Sequence, residues 1–233
     1  MNFQNVVTTM FALLLVAVSS SFAERKSTIT IGHGKFDPKK IVEGSGNMAT
    51  QSRDVESFTR IKTEIDVDVY VTVGESLSVK ITFDSNLVDL IETNVQGQTL
   101  ELTTHGTFST ENQCRAEITV PTLRAVKSEG SGDIEVMGVE GSDFLLVLEG
   151  SGNIRAMGFI ENLEIELSGS GDIDTRDLKS HNVQVELDGS GDIVVYADQL
   201  FDGSIGGSGN ITYYGEPKEI KRDISGSGKI RRR

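Results

Sequence analysis

The tripeptide Gly-Ser-Gly begins at Gly44, Gly130, Gly150, Gly169, Gly189, Gly207 and Gly226, and the last six copies stand 20, 19, 20, 18 and 19 residues apart. Each copy is followed by a small polar or charged residue and then an apolar one. A fixed period near 20 marks a unit too small to bury its apolar face alone, which must stack on copies of itself. The spacing predicts an all-β fold resembling the right-handed parallel β-helix, a β-solenoid whose rungs of about 20 residues read Gly-Ser-Gly-Asp/Asn-Ile.

Aligned on the tripeptide, each full repeat has room for two short strands. The first opens on the column Ile134, Ile154, Ile173, Ile193, Ile211 and Ile230. The second alternates, with Leu163, Ile165 and Leu167 in one rung and Val183, Val185 and Leu187 in the next, separated by Glu and Gln. Between strands runs a turn ladder of Gly130, Gly132 and Asp133; Gly150, Gly152 and Asn153; Gly169, Gly171 and Asp172; Gly189, Gly191 and Asp192; and Gly207, Gly209 and Asn210. Its glycines are expected to supply positive φ at a sharp corner, and its Asp and Asn side chains to bond back to local backbone amides. Free exchange of Asp for Asn favours hydrogen bonding over charge. Met137-Gly138 and Met157-Gly158 mark a second, softer corner in two rungs.

Four segments follow: a leader over residues 1–23, a charged and weakly ordered stretch over 24–43, an irregular β-rich part over 44–129, and the repeat array over 130–233 with a basic end. Residues 1–23 carry no charge, hold a nine-residue apolar run over 10–18, and end in Ser21-Phe22-Ala23 before Glu24-Arg25-Lys26. That is a cleavable signal peptide in outline, although no Lys or Arg precedes the apolar run. Nine apolar residues fall short of the roughly 20 that span a bilayer, so the chain is expected in the periplasm or outside the cell, without a transmembrane segment. In the β-rich part, Ile65, Val67, Val69, Val71 and Val73, then Gly74-Glu75-Ser76, then Leu77, Val79, Ile81 and Phe83, read as strand, tight turn, strand. Residues 86–92 form the one helical turn, with Asn86 as its cap. Cys114, the single cysteine, reads as a small buried side chain beside a strand.

Net charge is -13. Residues 130–228 hold 6 basic and 19 acidic side chains, whereas Lys229, Arg231, Arg232 and Arg233 make the end basic. An acidic stack repels phosphate backbones, which excludes nucleic acid as a partner. A glycan, an envelope component or a protein remains. Unpaired backbone at the rung ends predicts weak self-association, and the basic end opposes contact between identical ends.

The combination of Gly44-Ser45-Gly46-Asn47, Arg53-Asp54-Val55-Glu56-Ser57-Phe58, Asp84-Ser85-Asn86-Leu87 and the later Gly-Ser-Gly-Asp-Ile copies resembles the head GIN domain, a family labelled auto-transporter adhesin. The resemblance covers residues 44–230. It implies an exported bacterial protein with a β-helix-like fold, and it carries no catalytic residues across.

No catalytic, cofactor-binding or metal-ligating residue is assigned. His33, His105 and His181 lie far apart without metal-pair spacing, and Gly-Ser-Gly recurs where one nucleophile would suffice. A calcium ladder is disfavoured by a period twice that of calcium-binding β-rolls and by Asn at two of five turn positions. The expected function is an exported, non-enzymatic adhesin or binding protein. The alternative is a carbohydrate-active β-helix lyase or hydrolase that uses Glu166 and Glu186 with Asp172 and Asp192 as paired carboxylates.

Overall fold

The computed structural model describes residues 41–233. The leader, residues 24–40 and His33 lie outside them. Of the segment 24–43, Val42–Glu43 forms strand β1, which pairs in parallel with β8 (Phe108–Ser109).

Two faces of stacked parallel strands build a β-solenoid of about five turns. One face holds β9 (Arg115–Val120), β4 (Asp68–Val73), the leading legs of β11 (Ile134–Leu148), β12 (Ile154–Leu167), β13 (Ile173–Leu187) and β14 (Ile193–Ile205), then β15 (Ile211–Tyr214) and β17 (Ile230–Arg232). The other holds β7 (Thr99–Thr104), β3 (Arg60–Thr63), β10 (Ala125–Ser128), the trailing legs of β11–β14, and β16 (Glu219–Ile224). The pair of strands expected in each middle repeat is one bent strand of 13 to 15 residues. Its bend falls where the register slips, next to Gly138 (φ 78°) and Gly158 (φ 142°). The softer corner is therefore a kink within one strand.

The stack reaches back before Gly130. Strand β10 lies between β3 and β11, and β4 pairs directly with β11. The boundary at 129/130 thus separates irregular from regular rungs of one sheet. Ile65-Asp66-Val67-Asp68 occupies the corner position beneath Gly130-Ser131-Gly132-Asp133, which hides this first rung from a search for the tripeptide.

At the amino end, antiparallel strands replace parallel ones. Strand β2 (Met48–Arg53) pairs with β5 (Ser78–Asp84), and β6 (Ile91–Gln96) with β7. The strands flanking Gly74-Glu75-Ser76 do not form a hairpin, because β9 runs between them, parallel to β4 and antiparallel to β5. Gly74 N–H donates to the Val120 carbonyl at 3.0 Å, which ties the turn to the end of that third strand. Nor does Asn86 cap the turn that follows, a single 3-10 turn at Val88–Leu90 entered from Leu87. Instead its Oδ1 accepts from Ser45 N–H and its Nδ2 donates to the Glu43 carbonyl, so it pins the outlying Gly-Ser-Gly copy. Buried Asp84 completes that corner, accepting from Gly46 N–H at 2.7 Å, Asn112 Nδ2 at 3.0 Å and the Thr110 hydroxyl. The Thr110 hydroxyl above all, with the Asn112 amide and Gly46 N–H, holds the Asp84 carboxyl below the ordinary carboxylate range.

None of the ladder glycines has the positive φ expected of it. They are required by distance. A Cβ on Gly150, Gly152, Gly169, Gly171, Gly189, Gly191, Gly207 or Gly209 would lie 1.8–2.1 Å from a glycine carbonyl oxygen of the preceding rung. Gly130 and Gly132 meet the carbonyls of Ile65 and Val67 in the same way. The Asx side chains also bond between rungs rather than locally. Asp68 Oδ1 accepts from Asp133 N–H, Asp133 Oδ1 from Asn153, Asn153 Oδ1 from Asp172, Asp172 Oδ1 from Asp192, and Asp192 Oδ1 from Asn210, at 2.7–3.0 Å. The backbone bonds of the following isoleucines run the opposite way, from Ile154 N–H to the Asp172 carbonyl and from Ile173 N–H to that of Asp192, whereas the serine amides, as at Ser151 and Ser170, donate to the Gly130 and Gly150 carbonyls of the preceding rung. Asp and Asn interchange because each needs only one acceptor oxygen.

Inside, side chains stack in columns, with the isoleucines beginning at Ile134 along one face and Phe144, Leu163, Val183 and Phe201 along the other, all buried. Each buried side chain of this size contributes on the order of 1.5–3 kcal/mol. Phe201 stacks on Tyr213 with centroids 4.3 Å apart and planes 16° from parallel. Cys114 is buried as expected, and desolvation pushes its thiol up to about 12.

Candidate functional site

Opposite the Gly-Ser-Gly corner, the bends and trailing legs of successive rungs enclose a cleft of about 980 Å³ that crosses β3, β10, β11, β12, β13 and β14. Strands in register lie about 4.8 Å apart, so six of them extend the cleft over roughly 24 Å. Its floor is apolar at Ala125 and Leu145, which face each other across β10 and β11.

Along one wall runs a second polar column, one residue ahead of the buried Phe144, Leu163 and Val183. Asn162 Nδ2 donates to Asp143 Oδ1 at 3.0 Å, and Asn182 Nδ2 donates to Asn162 Oδ1 at 2.9 Å. The column stops at Leu200, the partner of Asn182 on β14. A primary amide has two donor hydrogens and two acceptor lone pairs. This relay uses one donor of each Asn and one lone pair of Asn162, and the remaining side-chain capacity of both has no partner among the described residues.

Charge is unevenly distributed along the same cleft. Arg60 and Arg124 stand at its head, and neither guanidinium has an ion-pair or side-chain hydrogen-bond partner among the described residues. Every other charged lining residue is acidic: Glu140 and Asp143 on β11, Glu164 on β12 and Asp202 on β14, with Gln184 between the last two. Neighbouring lysines are spent otherwise, Lys62 on Glu64 and Glu129, and Lys127 on Glu129 and Glu149. Hydrogen bonds from Lys127 first, and from Lys62, lower the Glu129 carboxyl below its ordinary range.

The four acids singled out in the sequence divide between two places. Glu166 and Glu186 are exposed partners in register on the second face. Asp172 and Asp192 sit in the corner ladder, where each Oδ1 is occupied by the next rung's amide. The structure therefore brings the two glutamates together and leaves the aspartates across the corner. His181 Nδ1 lies 2.8 Å from Asp198 Oδ1 and His105 Nδ1 lies 3.8 Å from Glu92. Among the described residues no three His, Cys, Asp or Glu side chains are grouped to hold a metal ion, and no helix is long and apolar enough to cross a membrane.

The wall column Asp143, Asn162 and Asn182 was available in the sequence, recurring at spacings of 19 and 20. It is easily passed over because no glycine accompanies it. Arg60 and Arg124 carry no such signal, since the pairing of Arg60 with Ala125 joins segments 65 residues apart.

Comparison with known proteins agrees with this architecture. A crystal structure from Bacteroides fragilis, described as a putative adhesin, superposes with a TM-score of 0.71 at 22% identity, covering 82% of this chain and 100% of the other. A second, from Parabacteroides distasonis and described as a putative lipid binding protein, gives a TM-score of 0.52 at 23% identity over 83% of this chain and 100% of the other. At such identities the likeness is one of fold. Among curated proteins none matches the chain. Residues 57–217 match the family described as "Putative auto-transporter adhesin, head GIN domain", and the chain belongs to that family.

Proposed function

We propose that the protein is an exported, non-catalytic binding protein of the adhesin type, which holds an extended glycan or envelope polymer along the cleft. The wall of amides carries this reading. Asn162 and Asn182 offer hydrogen-bonding groups at the strand period, with Gln184 beside Asn182 and apolar Ala125 and Leu145 on the strands before them, a surface suited to a chain of hydroxyl-bearing units. Adhesion also fits a rigid stack in which each rung contacts only its neighbours and the binding face extends with rung number. Export rests on the uncharged, apolar leader at residues 1–23 and on the family.

A glycan array probed with the purified protein tests the reading. Asn162→Leu combined with Asn182→Leu is expected to weaken binding about tenfold, as each lost hydrogen bond is worth about 0.5–1.5 kcal/mol. Binding indifferent to both changes, or no glycan bound at all, overturns it. The register of Glu166 with Glu186 supports one rival, a glycan-cleaving enzyme. Release of reducing ends from a bound polysaccharide, abolished by Glu166→Gln, would replace the non-catalytic reading with that one.

A further inference from the structure

We propose that the ligand of this cleft is a sparsely acidic glycan, with one carboxylated sugar seated at Arg60 and Arg124 and neutral sugars following past Asn162 on β12 and past Asn182 and Gln184 on β13. The inference rests on the binding reading above and specifies its ligand.

The period of the wall selects the kind of chain. Polar groups recur once per strand, about 4.8 Å, whereas an extended peptide advances about 3.3 Å per residue. A peptide laid along the axis would drift out of step with the amides within two or three rungs. One pyranose unit is close to one strand spacing in length, so successive sugars would present equivalent hydroxyls to successive rungs. The spare donor and acceptor capacity of Asn162 and Asn182 matches a hydroxyl, which also both donates and accepts.

The uneven charge selects the kind of sugar and its direction. Arg60 on β3 pairs with Ala125, the first residue of β10, and Arg124 immediately precedes that strand, so both arginines line the head of the cleft. Both are exposed and unpaired among the described residues, in a chain of net charge -13 whose neighbouring lysines are already neutralised by glutamates. A guanidinium presents a planar fork that takes a carboxylate through two parallel hydrogen bonds. At the other end Glu164 and Asp202 repel a second carboxylate. A uniformly charged polyanion is therefore refused, and a chain with one acid among several neutral units is oriented acid first.

Titration calorimetry with three probes tests this: an oligosaccharide carrying a single terminal glucuronate, the same oligosaccharide with that carboxylate reduced to the alcohol, and a fully charged oligogalacturonate of equal length. The singly acidic probe is expected to bind about tenfold more tightly than its reduced form, the worth of one charge-assisted hydrogen bond. That preference should shrink as salt is raised. Arg60→Gln with Arg124→Gln is expected to erase the preference, so that the acidic and reduced probes bind alike, with the far-ultraviolet circular dichroism unchanged because both side chains are exposed. Equal binding of the acidic and reduced probes overturns the inference and leaves the binding reading intact, as does tightest binding of the oligogalacturonate or a preference that survives in the double variant. Failure of all three probes to bind overturns the inference, while the binding reading is decided by the glycan array.

Discussion

A single hydrogen atom decides the corner of each rung. At Gly171 the nearest atom to a built Cβ is the Gly152 carbonyl oxygen at 1.8 Å, a backbone atom that cannot swing aside as a side-chain tip could. Gly171→Ala is therefore expected to cost about 3 kcal/mol, the upper part of the usual overpacking range. That corresponds to a fall in Tm of roughly 6–12 °C for a protein of this size, read by calorimetry. Asp172→Asn, one residue on, keeps the oxygen that accepts from Asp192 and is expected to stay within about 0.5 kcal/mol of wild type. Equal losses in the two variants would show that the corner is held by charge rather than by close approach. The sequence displayed the glycines and the Asp/Asn exchange, and both point to the right residues. It did not display why they are there, because distance to another rung is a property of stacking and no local pattern encodes it.

The long bent strand is the repeating element, with an inward column that is buried and outward residues that are mostly exposed or half-buried. Glu166 and Glu186 on the outward side are two like charges directly opposed across β12 and β13. Glu186→Lys would pair with Glu166 on one side and meet uncharged Ser204 on the other. It is expected to stabilise the protein by about 0.2–1 kcal/mol, the usual value of a cross-strand pair of opposite charge, with the gain in Tm fading in high salt. No gain at low salt would mean that solvent already screens the pair. Alternation in Leu163, Ile165 and Leu167 made these legs legible in advance. The corner at Met137-Gly138 was legible in position, although not as a kink within one strand, and the pairing of β9 between β4 and β5 was not legible, since it brings residues 115–120 between strands that are neighbours in sequence.

At the scale of the whole stack, stability is a sum over rungs and their interfaces. Strands β11, β12 and β13 are covered on both sides by full-length or paired neighbours, whereas β16 and β17 are bounded on one side only among the described residues. Ile220 and Ile224 on β16 accordingly remain 45% exposed at positions equivalent to buried Phe201 and Ile205. Hydrogen exchange followed by mass spectrometry is expected to show the slowest amides in β11–β13 and faster exchange in β15–β17. Uniform protection along the stack would indicate one cooperative unit instead. The architecture was readable from the tripeptide period, but the first rung was not, because Ile65 and Val67 stand where the later rungs need glycine. The direction of the Asx ladder has a consequence for assembly. Every Oδ1 in it, from Asp68 to Asp192, is offered to the rung that follows in the chain. In a chain that folded from its amino end, each Asx acceptor would thus stand in place before its donor arrived.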